Sequence, residues 1–225
     1  MWHVTAISLI LDLLKFKNIE NGVILNCNSS NDNIVFFQKT LNENNMKVSS
    51  FQIGKSPTLD GFSKIGLVLD ASCELWNNTL DLVDETYFRS SYTWLIKTDD
   101  LASTVDAWSK FPIEINSDVI LITKGGEPNV FYLHEVYNKG FYTKGSLVVR
   151  NLGYWASKLY LKQKERYDLT GVVLKCVVVV VDPIVNQTFE QYLEQTKPED
   201  SIVDSLHKLK FFTIVKYLAN MYNFR

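Results

Sequence analysis

The sequence predicts an α/β chain: a mainly parallel, doubly wound sheet followed by a short, incomplete second unit of strand plus helix. Three observations predict it. Short runs rich in β-branched residues alternate with stretches whose apolar residues recur at helical spacing, the pattern of a sheet covered on both faces. Gly, Pro, Asn and Asp gather between those runs, where the chain must turn. After Gly153-Tyr-Trp155 the alternation gives way to the basic, polar residues 158–166 and then to a new apolar run.

Residues 2–16 read as the first helix, with Ile7, Leu11 and Leu14 at helical spacing. The apolar stretch 4–14 lacks a preceding basic residue and a following small-x-small cleavage site, so a folded amphipathic helix is expected rather than a secretory signal. Residues 22–27 read as a strand. Asn31 or Asp32 then caps a helix carrying Ile34, Phe37 and Leu41 on one face. Residues 46–53 read as extended, Ser56-Pro-Thr-Leu-Asp-Gly61 as loop, and 64–70 as a buried strand. A helix over 73–87 would align Trp76, Leu80, Val83 and Tyr87. A strand at 92–97, a short helix started by Asp99 or Asp100, and a strand at 118–123 continue the pattern. Lys124-Gly-Gly-Glu-Pro-Asn129 is turn chemistry, leading into an added antiparallel strand at 130–137.

The expected domains are therefore 1–157, a linker at 158–166, and 167–225. In the last, a strand ending near Asp182-Pro183 and a polar stretch lead to a final helix. That helix aligns Phe211, Ile214, Val215, Leu218 and Tyr222 on one face. One strand and one helix cannot enclose a core, so this unit reads as incomplete.

With 225 residues, 46% of them apolar, the chain can bury a core. The net charge of −2, with Lys and Arg scattered, gives no electrostatic footprint for nucleic acid. No stretch reaches the about 20 apolar residues of a transmembrane helix, so any membrane role must come from segments absent here.

Neither cofactor nor metal is expected. The first strand-to-helix turn, Asn26-Cys-Asn-Ser-Ser-Asn31, has no glycine for a dinucleotide fingerprint. Gly54-Lys55-Ser56 resembles the end of a P-loop, but Ser49 stands where its first glycine belongs. Gly125-Gly126 is a turn pair. His3, His134 and His207 lie far apart without an i+4 metal partner, and Ser29, Ser30 and Ser72 lie in no GxSxG elbow. Asp70 and Asp182 end strands, where a carboxylate either serves a ligand or caps the next element. Trp76, Trp94, Trp108 and Trp155 are expected to pack. No catalytic constellation emerges, and the chain is expected not to be an enzyme.

Cys27, Cys73 and Cys176 show no metal-type spacing. Three buried thiols are one reading. In a 2-1-3 strand order, however, Cys27 and Cys73 lie just past the carboxyl ends of adjacent parallel strands, about 4.8 Å apart, which suits a disulfide. Asn28, Asn77 and Asn186 open N-glycosylation sequons. Together these lean towards the secretory route.

Arg166-Tyr-Asp-Leu-Thr-Gly171 followed by Val172-Val-Leu-Lys-Cys-Val-Val-Val resembles the opening of the ligand-binding domain of insect ionotropic receptors, variant relatives of ionotropic glutamate receptors. Asp182-Pro183 resembles the family's proline-containing loop. Tyr217-Leu218-Ala219 with Tyr222-Asn223-Phe224 resembles its helix ending in Asn-Phe. The first half is similar to the amino-terminal region of the antennal seventy-five clade, through Cys27, Tyr92-Thr-Trp-Leu-Ile96, Glu135-Val-Tyr, Gly140 and Leu152-Gly-Tyr-Trp155.

The resemblance implies a periplasmic-binding-protein-like fold on the extracellular side of a sensory-neuron plasma membrane. It also implies a full-length ligand-gated cation channel working with a coreceptor subunit, and small acid or amine odorants as ligands. The ligand-binding residues are unknown and expected beyond Arg225, so neither Arg150 nor Arg166 is assigned that role. The alternatives are a stand-alone soluble binding module of periplasmic-binding-protein type and an α/β enzyme without a recognisable motif.

Overall fold

The computed structural model describes residues 4–26, 31–52, 64–72, 76, 83–143, 145–162, 166, 168–175, 177, 179–181, 184, 186–195, 201–206, 208 and 212–224. The chain divides into two compact units: Met1–Tyr142 with Ser146–Glu165, and Thr143–Gly145 with Arg166–Arg225.

In the first unit, α1 (Val4–Phe16) leads into β1 (Asn21–Asn26), α2 (Asn31–Glu43), β2 (Lys47–Gln52) and β3 (Ile65–Asp70). A 3-10 turn (Glu85–Phe88), β4 (Tyr92–Thr98), α3 (Leu101–Trp108), β5 (Asp118–Lys124), β6 (Val130–Asn138), β7 (Leu147–Ala156) and β8 (Leu159–Leu161) follow. All eight strands form one sheet in the order β2-β1-β3-β4-β5-β6-β7-β8. The pairings from β2 through β5 are parallel, and those from β5 through β8 are antiparallel. This is the mainly parallel α/β sheet the sequence predicts, with β2-β1-β3 in the order that brings the first and third strands together.

Alternation along the strands builds a core on each face. Ile24, Val68, Leu95 and Ile120 turn to one side, where they meet Ile10 and Leu14 of α1 and Phe37 and Leu41 of α2. Leu25, Leu67, Trp94 and Leu121 turn to the other, against Trp76, Tyr87, Phe88, Trp108 and Ile113. The second core is aromatic: Trp94 stacks on Phe88 at 5.8 Å and meets Trp108 edge-on at 5.1 Å. All four tryptophans named above are buried, as expected of packing residues.

Asp12, the charge within the first apolar stretch, accepts a 2.7 Å hydrogen bond from the Trp155 indole. That contact ties α1 to β7. Of the helix expected over 73–87, Trp76 is helical, but Val83 and Asp84 are not, and Glu85–Phe88 form a separate 3-10 turn whose amino end is capped by the Asp84 carboxylate accepting from Thr86 N at 2.8 Å. Residues 73–75 and 77–82 lie outside the described ones. Asp100, one of the two candidates, caps α3 by accepting from Ser103 N.

Two differences from expectation concern the sheet's end and the second unit. Residues 158–166, read as linker, contain β8, whose Leu159 and Leu161 pack on the first core. The approach needs Gly153, at φ +145°. A Cβ there would lie 2.0 Å from the Tyr160 carbonyl oxygen and 3.0 Å from Leu161 Cα, both backbone atoms that cannot swing aside. Gly153→Ala is therefore expected to detach β8 and cost at least about 2 kcal/mol. Faster amide exchange at Leu161 would register it; unchanged exchange would count against this account.

In the second unit, α4 (Phe189–Glu194), α5 (Ile202–Leu206) and α6 (Thr213–Tyr222) form, but the expected strand before Asp182 does not. Among the described residues of 172–181 none belongs to a strand. Valine's β preference reflects fit to a pleated neighbour, and among the described residues of this unit no strand adjoins the run.

Candidate functional site

In a parallel α/β sheet, ligands gather at the carboxyl ends of the strands. There, β3 ends in Asp70, β4 contributes Lys97, and β5 ends in Lys124. Asp70 and Lys97 are register partners, and Lys97 Nζ sits 3.2 and 3.3 Å from the two Asp70 carboxylate oxygens. The same carboxylate accepts from Ser72 Oγ at 2.6 Å and Ser72 N at 3.1 Å. Asp70 thus closes the turn after β3 and also neutralises a lysine.

Beside that pair lies a cleft of ≈ 330 Å³ with Ala6, Pro128 and Phe131 as its apolar wall and Lys97, Asp99 and Lys124 at its polar side. Thr5 Oγ1 donates to Asn129 Oδ1 at 3.0 Å, joining α1 to the β5–β6 turn at its rim. The volume sits at the lower end of small-molecule sites. Cations and a carboxylate over an apolar wall can hold a small charged molecule; the described lining offers no nucleophile paired with a base. Sequence reasoning passed over Lys97 and Lys124. Their signal was a lysine near the carboxyl end of each of two mostly apolar strands.

The remaining candidates disperse. His134 is half-buried, with its Nε2 3.2 Å from Thr123 Oγ1, and burial lowers its pKa. Arg150 pairs with Glu135, its cross-strand partner, and lies 5.5 Å over the Tyr137 ring. Gly125 closes the β5–β6 turn by donating to the Val130 carbonyl at 2.8 Å. Among the described residues, no group of three or more His, Cys, Asp or Glu could hold a metal ion. His3, His207, Ser29, Ser30, Asp182, Cys27, Cys73, Cys176, Asn28, Asn77 and residues 54–56 lie outside the described residues.

At the amino ends of the strands, Asp118 is the centre of charge. It receives Lys17 at 2.8 Å, Lys64 at 3.4 Å and Thr93 Oγ1 at 2.8 Å. Burial pushes its pKa up, but the two lysines and Thr93 outweigh burial and hold it below the usual carboxylate value. This site braces three segments far apart in sequence.

In the second unit, the opening motif and the Asn-Phe ending meet. Asp168 caps Thr170 N at 3.0 Å, Gly171 takes φ +88°, and Leu169 N donates to the Tyr222 carbonyl at 2.7 Å. Asn223 ends α6 in the left-handed conformation at φ 57°, and Phe224 N closes on the Ala219 carbonyl. An open cleft of ≈ 690 Å³ lies between Thr170–Val173 and the end of α6. Asp204, fully buried, accepts from Val181 N at 2.9 Å and from the Tyr192 hydroxyl. Asp204→Ala is expected to cost this unit about 2 kcal/mol, seen as faster exchange at Val181 NH; unchanged exchange would refute the anchoring.

Residues 3–176 match the family model described as Ionotropic receptor 75a N-terminal. The chain belongs to that family. The match spans the entire sheet of the first unit and continues through Arg166-x-x-Leu-x-Gly171 into the valine run. No curated protein and no solved structure matches the chain. The hydrogen bond from Leu169 N to the Tyr222 carbonyl joins the 166–171 stretch to the end of α6 within the second unit. Among the described residues no helix is long and apolar enough to cross a membrane.

Proposed function

We propose that this chain is extracellular sequence of a chemosensory ionotropic receptor subunit, non-catalytic in itself, whose full-length form is a ligand-gated cation channel. The observation that carries the reading is the ionotropic receptor match over 3–176. In this reading, ion conduction and odorant capture belong to other segments of the receptor. The odorants are small acids or amines, and a coreceptor subunit completes the channel. Opening follows from the ligand's tighter hold on one clamshell state than on the other.

The secretory route is part of the same proposal, with Cys27 bonded to Cys73 and glycans on Asn28, Asn77 and Asn186. Asn186 is exposed, two residues before the α4 cap Thr188. Intact-mass measurement of secreted chain, before and after deglycosylation and without reductant, is expected to show glycans and one disulfide. Unglycosylated chain with Cys27 and Cys73 both alkylatable would overturn this part.

The functional test uses the receptor that carries this chain, co-expressed with an ionotropic coreceptor subunit in cells that lack both. Inward current to small carboxylic acids or amines is expected; surface expression with no current to either class would contradict the proposal. The carboxyl-edge cleft of the first unit favours a second reading, a stand-alone soluble binding module. Limited proteolysis separates the two. The receptor reading expects loss of residues from about 167 onward, since that unit is small, whereas the module resists through Phe224.

A further inference from the structure

The carboxyl-edge cleft of the first unit holds two opposite charges that the fold does not use. Side chains alternate along a strand, so Lys97 follows Leu95 onto the face of the sheet that α1 covers, and Lys124 follows Ile120 and Ile122 onto the same face. Phe131, the register partner of Lys124, joins them there. Thr98 pairs with Thr123, so Asp99 and Lys124 are the next residues beyond the last rung of the β4–β5 ladder. Both line the cleft.

Lys97 is already neutralised by Asp70. Asp99 and Lys124 are not: both are exposed, and among the described residues neither side chain has an ion-pair or hydrogen-bond partner, including the other. The cleft therefore presents one unpaired carboxylate and one unpaired ammonium beside the apolar wall of Ala6, Pro128 and Phe131. A monoanion drawn to Lys124 meets the like charge of Asp99, and a monocation drawn to Asp99 meets that of Lys124. A molecule carrying both charges satisfies both side chains at once. The volume of ≈ 330 Å³ suits a small one.

We propose that this cleft binds a small zwitterion, a short apolar skeleton bearing a carboxylate for Lys124 and an ammonium for Asp99. The apolar part lies against Ala6, Pro128 and Phe131, under the rim that Thr5 and Asn129 close. This inference rests on the first unit and not on the receptor reading, and it concerns a different class of molecule from the acid or amine odorants.

The test is titration calorimetry of the full 225-residue chain with three probes of similar shape: L-valine, isovalerate, which lacks the ammonium, and isobutylamine, which lacks the carboxylate. L-valine is expected to bind in the millimolar range or tighter, and at least about tenfold more tightly than either single-charge probe. Asp99→Asn is expected to erase its advantage over isovalerate, and Lys124→Gln its advantage over isobutylamine. Each variant should weaken L-valine about tenfold, with thermal unfolding of the unliganded chain unchanged because both positions are exposed. No heat from L-valine in the millimolar range overturns the proposal. So does a single-charge probe that binds as tightly as L-valine, or an L-valine affinity indifferent to either substitution.

Discussion

Trp94→Ala is expected to cost the first unit about 3–5 kcal/mol, enough to leave it largely unfolded at physiological temperature. Trp94 lies in the central parallel strand, 1% exposed, stacked on Phe88 and edge-on to Trp108. Its indole N–H donates to the Tyr87 carbonyl at 2.8 Å. Truncation therefore opens a cavity beside two other aromatic rings and also strands a buried backbone acceptor. Trp94→Phe keeps most of the volume and loses the hydrogen bond, so a smaller loss of about 1–2 kcal/mol is expected. Chemical denaturation of both variants measures the difference. Equal losses would mean that the hydrogen bond, not the packing, dominates this site.

Asp118→Ala is expected to cost about 2–4 kcal/mol, because it leaves Lys17, Lys64 and the buried Thr93 hydroxyl without their common acceptor. The figure is set below that of a fully buried pair because Lys17 and Lys64 are partly exposed. Asp118 also fixes a pH dependence. Its folded pKa lies below its unfolded value, so its stabilisation is fully present above the unfolded pKa of about 3.9 and is lost as pH falls through the folded value. Denaturation midpoints at pH 7 and at about pH 3 should therefore converge between wild type and Asp118→Asn. A gap that stays constant on acidification would show that the carboxylate's charge is not what braces the three segments.

Much of this architecture was legible in the sequence because the parallel strands are buried on both faces and read as unbroken apolar runs. Residues 64–70, 92–97 and 118–123 needed no partner to be recognised. β7 was hidden because Arg150-Asn151 and Gly153 interrupt it. Arg150 is explained by Glu135 and Tyr137 across the strand pair, and Gly153 by the backbone of Tyr160 and Leu161. β8 was hidden inside basic residues, with just Leu159 and Leu161 to mark it. The valine run misled in the opposite direction, since preference without an adjoining strand does not make a ladder.

The candidate sites divide in the same way. The carboxyl-edge cleft draws Thr5, Lys97, Lys124 and Asn129 from distant stretches, and the Asp118 brace draws Lys17, Lys64 and Thr93. Neither leaves a local motif. The opening motif at Arg166 to Gly171 and the Asn-Phe ending at 223–224 were legible as separate signals. That Leu169 and Tyr222 share a hydrogen bond was not.

The central claim, that this chain is extracellular sequence of an ionotropic receptor, is tested most directly by labelling intact cells. The receptor carrying this chain, with an epitope tag at its amino terminus, is expressed together with a coreceptor subunit and probed with a membrane-impermeant antibody. The account predicts labelling of unpermeabilised cells. Labelling that appears only after permeabilisation, with the coreceptor itself detected at the surface, would contradict it.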